Sequence, residues 1–160
     1  MRLSKFLNLS ETKINISKYL GIKTSKEIQN IESCHAEDGL AVLKFIIDLK
    51  NKIINPKNEY EISEYLYKKR KEGINFFRNS FDYISAFDSN AAIVHYKPLL
   101  SKSLPSKNRN ILLIDSGAHY LEGTTDVTRV IRIGTSNISK IKYFYTHLLK
   151  SLIKLENNIF

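Results

Sequence analysis

Apolar positions in the first third of the chain recur at helical intervals. After Thr24 come Ile28, Ile31, His35, Val42, Ile46, Leu49 and Ile53, near a 3.6-residue period. Thr24 with Glu27 three residues later is a capping-box signature for the start of this helix, and Gly39 weakens its middle. A second helix is expected from Asn58, with Glu61 three residues on, to Gly73. The pattern then changes to short β-branched and apolar runs, which predict strands at 83–86, 92–96, 111–115 and 126–133. Residues 100–110 are polar, contain Pro105 and read as a loop. A final helix carries Ile138, Ile141, Tyr145, Leu148, Leu152, Leu155 and Ile159, three or four apart, a spacing that predicts a core-facing stripe. Helices, then strands, then a helix predict an α+β fold, with helices on one face of an antiparallel sheet.

The chain has 160 residues, a length that fits one compact unit. It contains no apolar run of 18 residues, so no membrane span is expected. Its first nine residues hold two basic groups but no continuous apolar region, so no secretory signal is read there. The single cysteine, Cys34, excludes an internal disulfide and is expected to pack on a helix, which suits a reducing cytoplasm. The net charge of +9 raises the question of a nucleic-acid partner. Its distribution argues against one, with 15 basic and 10 acidic groups in residues 1–80 and 10 and 6 in residues 81–160. The one cluster, Lys68-Lys69-Arg70-Lys71, has Glu61, Glu64 and Glu72 nearby and reads as a solvated helix face.

The most informative residues are Asp115 and Asp126. The first follows four apolar residues, and the second opens the β-branched stretch to Ile133, with a Gly-containing turn between. Folding one strand on the other can bring the two carboxylates side by side in the interior. Two anions about 4 Å apart repel by about 4 kcal/mol at an effective dielectric of about 20. A cation between them, or a proton on one of them, relieves that repulsion. As turn residues they would instead cap backbone amides.

Asp115-Ser116-Gly117-Ala118-His119-Tyr120, followed by Gly123-Thr124-Thr125-Asp126-Val127-Thr128-Arg129, resembles the metal-binding strand pair of the Xaa-Pro aminopeptidases. That is the aminopeptidase P family, within the creatinase, prolidase and methionine aminopeptidase superfamily. Upstream, Ile84-Ser85 and Asn90-Ala91-Ala92-Ile93-Val94-His95-Tyr96-Lys97-Pro98 resemble its Asn-Gly-Ala-Ile-x-His-Tyr-x-Pro segment. Lys26-Glu27-Ile28 and His35-Ala36-Glu37-Asp38-Gly39 are similar to its first catalytic-domain helix. Gly134-Thr135 and Tyr145-Thr146-His147-Leu148-Leu149-Lys150 are similar to the helix after the hairpin.

The resemblance implies the first half of a pita-bread fold over residues 22–160, behind an N-terminal extension at 1–21. It implies two divalent ions, manganese or cobalt, held by five ligands, of which Asp115 would chelate one ion and Asp126 bridge both. The remaining histidine and two glutamates would fall after Phe160, so the expectation is part of a metalloaminopeptidase, inactive alone. The implied substrates are peptides with proline in second position. The implied partner is a separate C-terminal half or a second copy, because Ile93, Ile131 and Ile133 or their neighbours should lie near an apolar inner sheet face left uncovered. His95 matches the histidine beside the metals, where an imidazole can donate to an oxyanion or move a proton; otherwise it is a packed strand residue. His119 stands where the family has glutamine and reads as a partly exposed turn residue. His35 reads as structural, His147 as a polar helix residue, and Thr128 and Arg129 as supports for the second aspartate. Asp88-Ser89 replaces the family's Gly-Pro, and Ala91 its next glycine, so the loop beside His95 should differ where positive φ is needed. The alternative function is a non-catalytic binding module of the same fold.

Overall fold

The computed structural model describes residues 15–158. Its helices are α1 (Ile16–Gly21), α2 (Ser25–Lys50), α3 (Glu59–Lys71) and α4 (Ser139–Glu156). Its strands are β1 (Phe76–Asn79), β2 (Ile84–Phe87), β3 (Ile111–Ser116), β4 (Ala118–Tyr120) and β5 (Val127–Arg132). An antiparallel sheet runs in the order β2-β3-β5, and β1 and β4 form a second antiparallel pair. The architecture is therefore α+β, with α2 and α3 covering one face of the three-stranded sheet. Among the described residues no helix is long and apolar enough to cross a membrane.

Both long helices start as their sequences dictate. The Glu27 amide donates to Thr24 Oγ1 and the Thr24 amide donates to Glu27 Oε2, closing a reciprocal capping box. Asn58 Oδ1 accepts from the Glu61 amide at the start of α3. α2 runs through Gly39 without a break, because nothing packs near that position. Its end is closed by Lys52 at φ 57, with the Ile53 amide donating to the Asp48 carbonyl.

The core joins Val42 and Phe45 of α2, Ile62 and Leu66 of α3, and Phe87, Leu112, Ile114 and Ile131 of the sheet. Cys34 packs in a second cluster with Ala118 and Tyr120. The buried stripe of α2 is Cys34, Asp38, Ala41, Val42 and Phe45. That face is rotated from the expected one, and Ile28 and His35 are exposed. An ion pair explains the rotation. Arg70 Nε donates to Asp38 Oδ1 at 2.5 Å and Nη2 to Oδ2 at 3.0 Å, both side chains fully buried. The Tyr120 hydroxyl also donates to Asp38, and the guanidinium lies 4.9 Å from the centre of the Tyr83 ring. Burial pulls the Arg70 pKa down, but the hydrogen bonds and charge of Asp38 outweigh it and leave the pKa raised. The basic run at 68–71 is thus not a uniformly solvated face; its third member is a core residue.

Three further expectations change. Residues 92–96 are not a strand: Asp88–Ala92 is a 3-10 turn, and the chain then turns again. The supposed turn between the aspartates contains β4, which pairs with β1; neither strand was expected. The α4 stripe is not a core face, since none of its described residues is buried and Leu148 is 72% exposed. Ile159 lies outside the described residues. α4 extends past the sheet, and its amphipathic pattern is left without a partner among them.

Candidate functional site

Register places the two aspartates. Asp115 pairs with Thr128 across β3 and β5, and Asp126 stands two residues before Thr128. Directly opposed residues share a face and side chains alternate along a strand. Asp115 and Thr128 therefore belong to the face away from α2 and α3, while Asp126 lies just before β5, outside the paired residues. The opposite parity, Leu112, Ile114 and Ile131, is buried under the helices. Asp126 immediately precedes Val127, the partner of Ser116, so the two aspartates lie at the same end of the β3–β5 pair. They are not in the interior as expected, since Asp115 is half-buried and Asp126 exposed. Thr128 Oγ1 donates to Asp115 Oδ1 at 2.7 Å, so this threonine supports the first aspartate rather than the second.

Of the residues expected to border that face, Ile131 is buried on the helix side and Ile133 packs against the core, whereas Ile93 is exposed. The apolar residues on the open side include Ile84, Ile111, Leu113 and Val130, the last a neighbour of Ile131.

Gly117 makes the hairpin possible. A Cβ there would collide with the Thr125 carbonyl oxygen and Ser80 Oγ. The Ser80 amide donates to the Gly117 carbonyl, and the Ala118 amide to Thr125 Oγ1. The segment leading into Asp126 is therefore held directly against the one leaving Asp115.

His95 is exposed and sits at φ 54, in the left-handed region that costs a non-glycine residue energy. The segment carrying it is anchored by Glu59, a residue the sequence reading passed over. This carboxylate is fully buried at the first turn of α3. Its Oε1 accepts from the Phe87 amide at 2.7 Å and Asn90 Nδ2 at 3.0 Å. Its Oε2 accepts from the Tyr96 hydroxyl at 2.6 Å and the Leu104 amide at 2.8 Å. Burial, then donation to Glu59, pushes the Tyr96 pKa up to about 12. The sequence signal for Glu59 was a carboxylate at a helix N-terminus, where the dipole favours negative charge, but Glu61 offered the same signal.

Asp88, where the resemblance predicted a glycine-like conformation, adopts φ 43. Its Oδ1 accepts from the Asn110 and Ile111 amides, which holds the aspartate in that conformation and ties the turn to β3. Ala91 lies inside the 3-10 turn and needs no positive φ.

Among the described residues no group of three or more His, Cys, Asp or Glu side chains converges to hold a metal ion. His95 therefore does not close on the aspartate pair as a third ligand. The donor set present, two carboxylates of which neither is buried, fits part of a site for hard divalent ions and not a closed one. His119 is half-exposed, its Nδ1 2.8 Å from Thr124 Oγ1. His35 and His147 are exposed, with Nδ1 against the carbonyls of Ile31 and Tyr143. Burial, then nearby Asp38, Glu122 and Glu37, raises the Cys34 pKa, which keeps that thiol protonated.

The chain is similar to known proteins. "Probable Xaa-Pro aminopeptidase P" of Paracoccidioides brasiliensis (strain Pb18) is 37% identical over 155 residues, which cover 95% of this chain and 25% of that protein. The chain thus spans about a quarter of the length of the curated relatives it matches. The crystal structure of X-prolyl aminopeptidase from Caenorhabditis elegans, described as a cytosolic enzyme with a di-nuclear active site, aligns with a TM-score of 0.71 at 31% identity. That alignment covers 78% of this chain and 21% of that one. X-Pro aminopeptidase from Thermotoga maritima shares the fold, with a TM-score of 0.69 at 24% identity over 84% of this chain and 36% of its own. The α+β arrangement is accordingly part of the pita-bread fold. Residues 29–160 match the profile of metallopeptidase family M24, and the chain belongs to that family.

Proposed function

We propose that this chain supplies the aspartate-hairpin part of a metal-dependent aminopeptidase that removes an N-terminal residue linked to proline. The observation that supports the reading is that Asp115, near the end of β3, and Asp126, just before β5, lie at the same end of one strand pair and neither is buried. In this reading Asp115 and Asp126 would help to hold divalent ions, manganese or cobalt, and His95 would contact the substrate beside them. The ions would supply Lewis-acid polarisation and a nucleophile at neutral pH. This chain orients its own ligands, through Thr128 on Asp115 and Gly117 at the turn, and presents His95 on the segment tied to Glu59. Three further ligands would come from a second polypeptide segment seated beside them. The reading includes a cytoplasmic location, supported by the description of the Caenorhabditis elegans relative as cytosolic.

Manganese titration followed by electron paramagnetic resonance tests the reading. The chain should bind the ion weakly, and Asp115→Asn and Asp126→Asn should each weaken binding about tenfold. Binding unchanged by both substitutions would remove the aspartates from the site. An Xaa-Pro peptide assay with added manganese should show no turnover by the purified chain alone. A second reading, a non-catalytic binding module, is favoured by the uncovered apolar side of α4.

A further inference from the structure

A cleft of about 1100 Å³ opens on the helix-covered side of the sheet, where the end of α2, the start of α3, the loop before β3 and the end of β5 meet. Its accessible apolar surface comes from Leu49, Ile54 and Ile133, over the buried side chains of Ile62, Phe87 and Leu112. Its cations are Lys50, Lys52, Lys57, Lys107, Arg109 and Arg132, and no aspartate or glutamate lines it. Among the described residues Lys50, Lys52, Lys57 and Lys107 have no ion-pair partner. The neighbouring acidic groups are occupied elsewhere: Glu61 accepts from the Lys57 amide, Glu59 is buried under four donors, and Asp88 lies 3.9 Å from Arg109 and accepts from two amides. Both guanidiniums are held by the backbone. Arg109 Nε donates to the Pro105 carbonyl at 3.0 Å, and Arg132 donates to the carbonyls of Gly134 and Ser136.

The fold assembles this group from separate segments while dispersing the basic run visible in the sequence. In that run Arg70 is buried on Asp38, and Lys69 pairs with Asp48 and Glu72. Cations around an apolar floor select a ligand that carries both kinds of surface. Arginine forks and lysines recognise phosphate oxygens, and the floor takes a planar or aliphatic body. The volume slightly exceeds the few hundred to about 1,000 Å³ usual for small-molecule sites, so a nucleotide fits with water. A nucleic-acid strand tracking phosphates would leave the floor unused. We propose that this cleft is a binding site for a nucleotide-sized organic polyphosphate, with its phosphates on the Lys/Arg rim and its apolar body against Ile54 and Ile133.

The probe is ATP, titrated into the full chain by calorimetry at low and physiological salt, with adenosine and inorganic tripolyphosphate in parallel. ATP should bind at least tenfold more tightly than either part, weaken with salt, and shift the methyl signals of Ile54 and Ile133, which tripolyphosphate should leave in place. The pair Lys57→Glu with Lys107→Glu should lose about tenfold or more. The pair Lys68→Glu with Lys71→Glu, on the exposed side of α3, makes the same change in net charge and should leave binding within twofold. All four side chains are exposed, and circular dichroism checks that each variant is folded. Equal losses from the two pairs would mean diffuse attraction and overturn the proposal. So would tripolyphosphate binding as tightly as ATP, capture of a poly-glutamate peptide in preference to ATP, or no ATP binding at millimolar concentration.

Discussion

Tyr96 and Glu59, 37 positions apart, meet at 2.6 Å, the tyrosine hydroxyl donating to a carboxylate with no exposed surface. The same carboxylate receives the Phe87 and Leu104 amides and the Asn90 side chain. One side chain of α3 thereby fixes both ends and the middle of the segment that presents His95. Removing it leaves several buried donors unpaired, each at about 1–3 kcal/mol. Glu59→Ala should destabilise the chain by about 3 kcal/mol or more in urea unfolding and speed hydrogen exchange of the Phe87 and Leu104 amides. Glu59→Gln, which keeps acceptor capacity on one atom, should cost less.

Alkaline pH should weaken the fold through the same contact. Tyr96 is raised to about 12 in the folded chain from an ordinary value of 10.0. A group raised on folding contributes fully while both states are protonated, here below pH 10. As pH rises from 10 towards 12 the unfolded chain ionises and the folded one resists, so stability falls. Burial, then donation to Asp38, also raises Tyr120, and burial raises Cys34, so both add in the same direction. Urea midpoints measured between pH 8 and 12 should decline, and Tyr96→Phe should flatten that decline.

The Asp38–Arg70 pair offers a test of what the core tolerates. Breaking a buried pair leaves one uncompensated charge and costs about 3–5 kcal/mol. Asp38→Ala should show a loss of that size in denaturant unfolding. Arg70→Met combined with Asp38→Leu should recover much of it, because no charge is left behind.

The aspartates should behave as surface charges in the absence of metal. Asp115 is half-buried and Asp126 exposed, so solvent screens their repulsion. The figure of about 4 kcal/mol for an interior pair does not apply. Asp126→Asn should therefore change the melting temperature in chelator by no more than a degree or two. A large loss would mean that its carboxylate is a structural acceptor.

The apolar side of α4 should drive association. Leu148 and Leu152, both exposed, lie four apart on one helix face. At tens of micromolar the chain should sediment as more than a monomer or bind an apolar dye. Leu148→Glu with Leu152→Glu should reduce both. A wild-type monomer without dye binding would count against an uncovered surface.

Much of this was legible because it is local. Thr24 with Glu27, and Asn58 with Glu61, signal helix starts within four residues, and the β-branched runs around Asp115 and Asp126 signal a hairpin. What stayed hidden depends on partners distant in sequence. Arg70 sits in a lysine-rich run and becomes a core residue only because Asp38 faces it from α2. Residues 92–96 look like a strand by composition, yet the bonds of Asn90 and Tyr96 to Glu59 pull the backbone into turns. The amphipathic stripe of α4 was read as a core face, yet none of its described residues is buried, because periodicity says nothing about where a covering surface comes from.

The register at Thr128 imposes a rule of parity on the hairpin. Asp126 stands two positions before Thr128, the partner of Asp115, an even offset that gives both carboxylates one face when the strand geometry runs on through Asp126. Inserting one residue between Asp126 and Thr128 would turn the second carboxylate towards the helices. Inserting two would keep it on the open face and slide it about 7 Å along the strand. Odd changes in this segment should therefore abolish shared metal binding outright, and even ones should only stretch it.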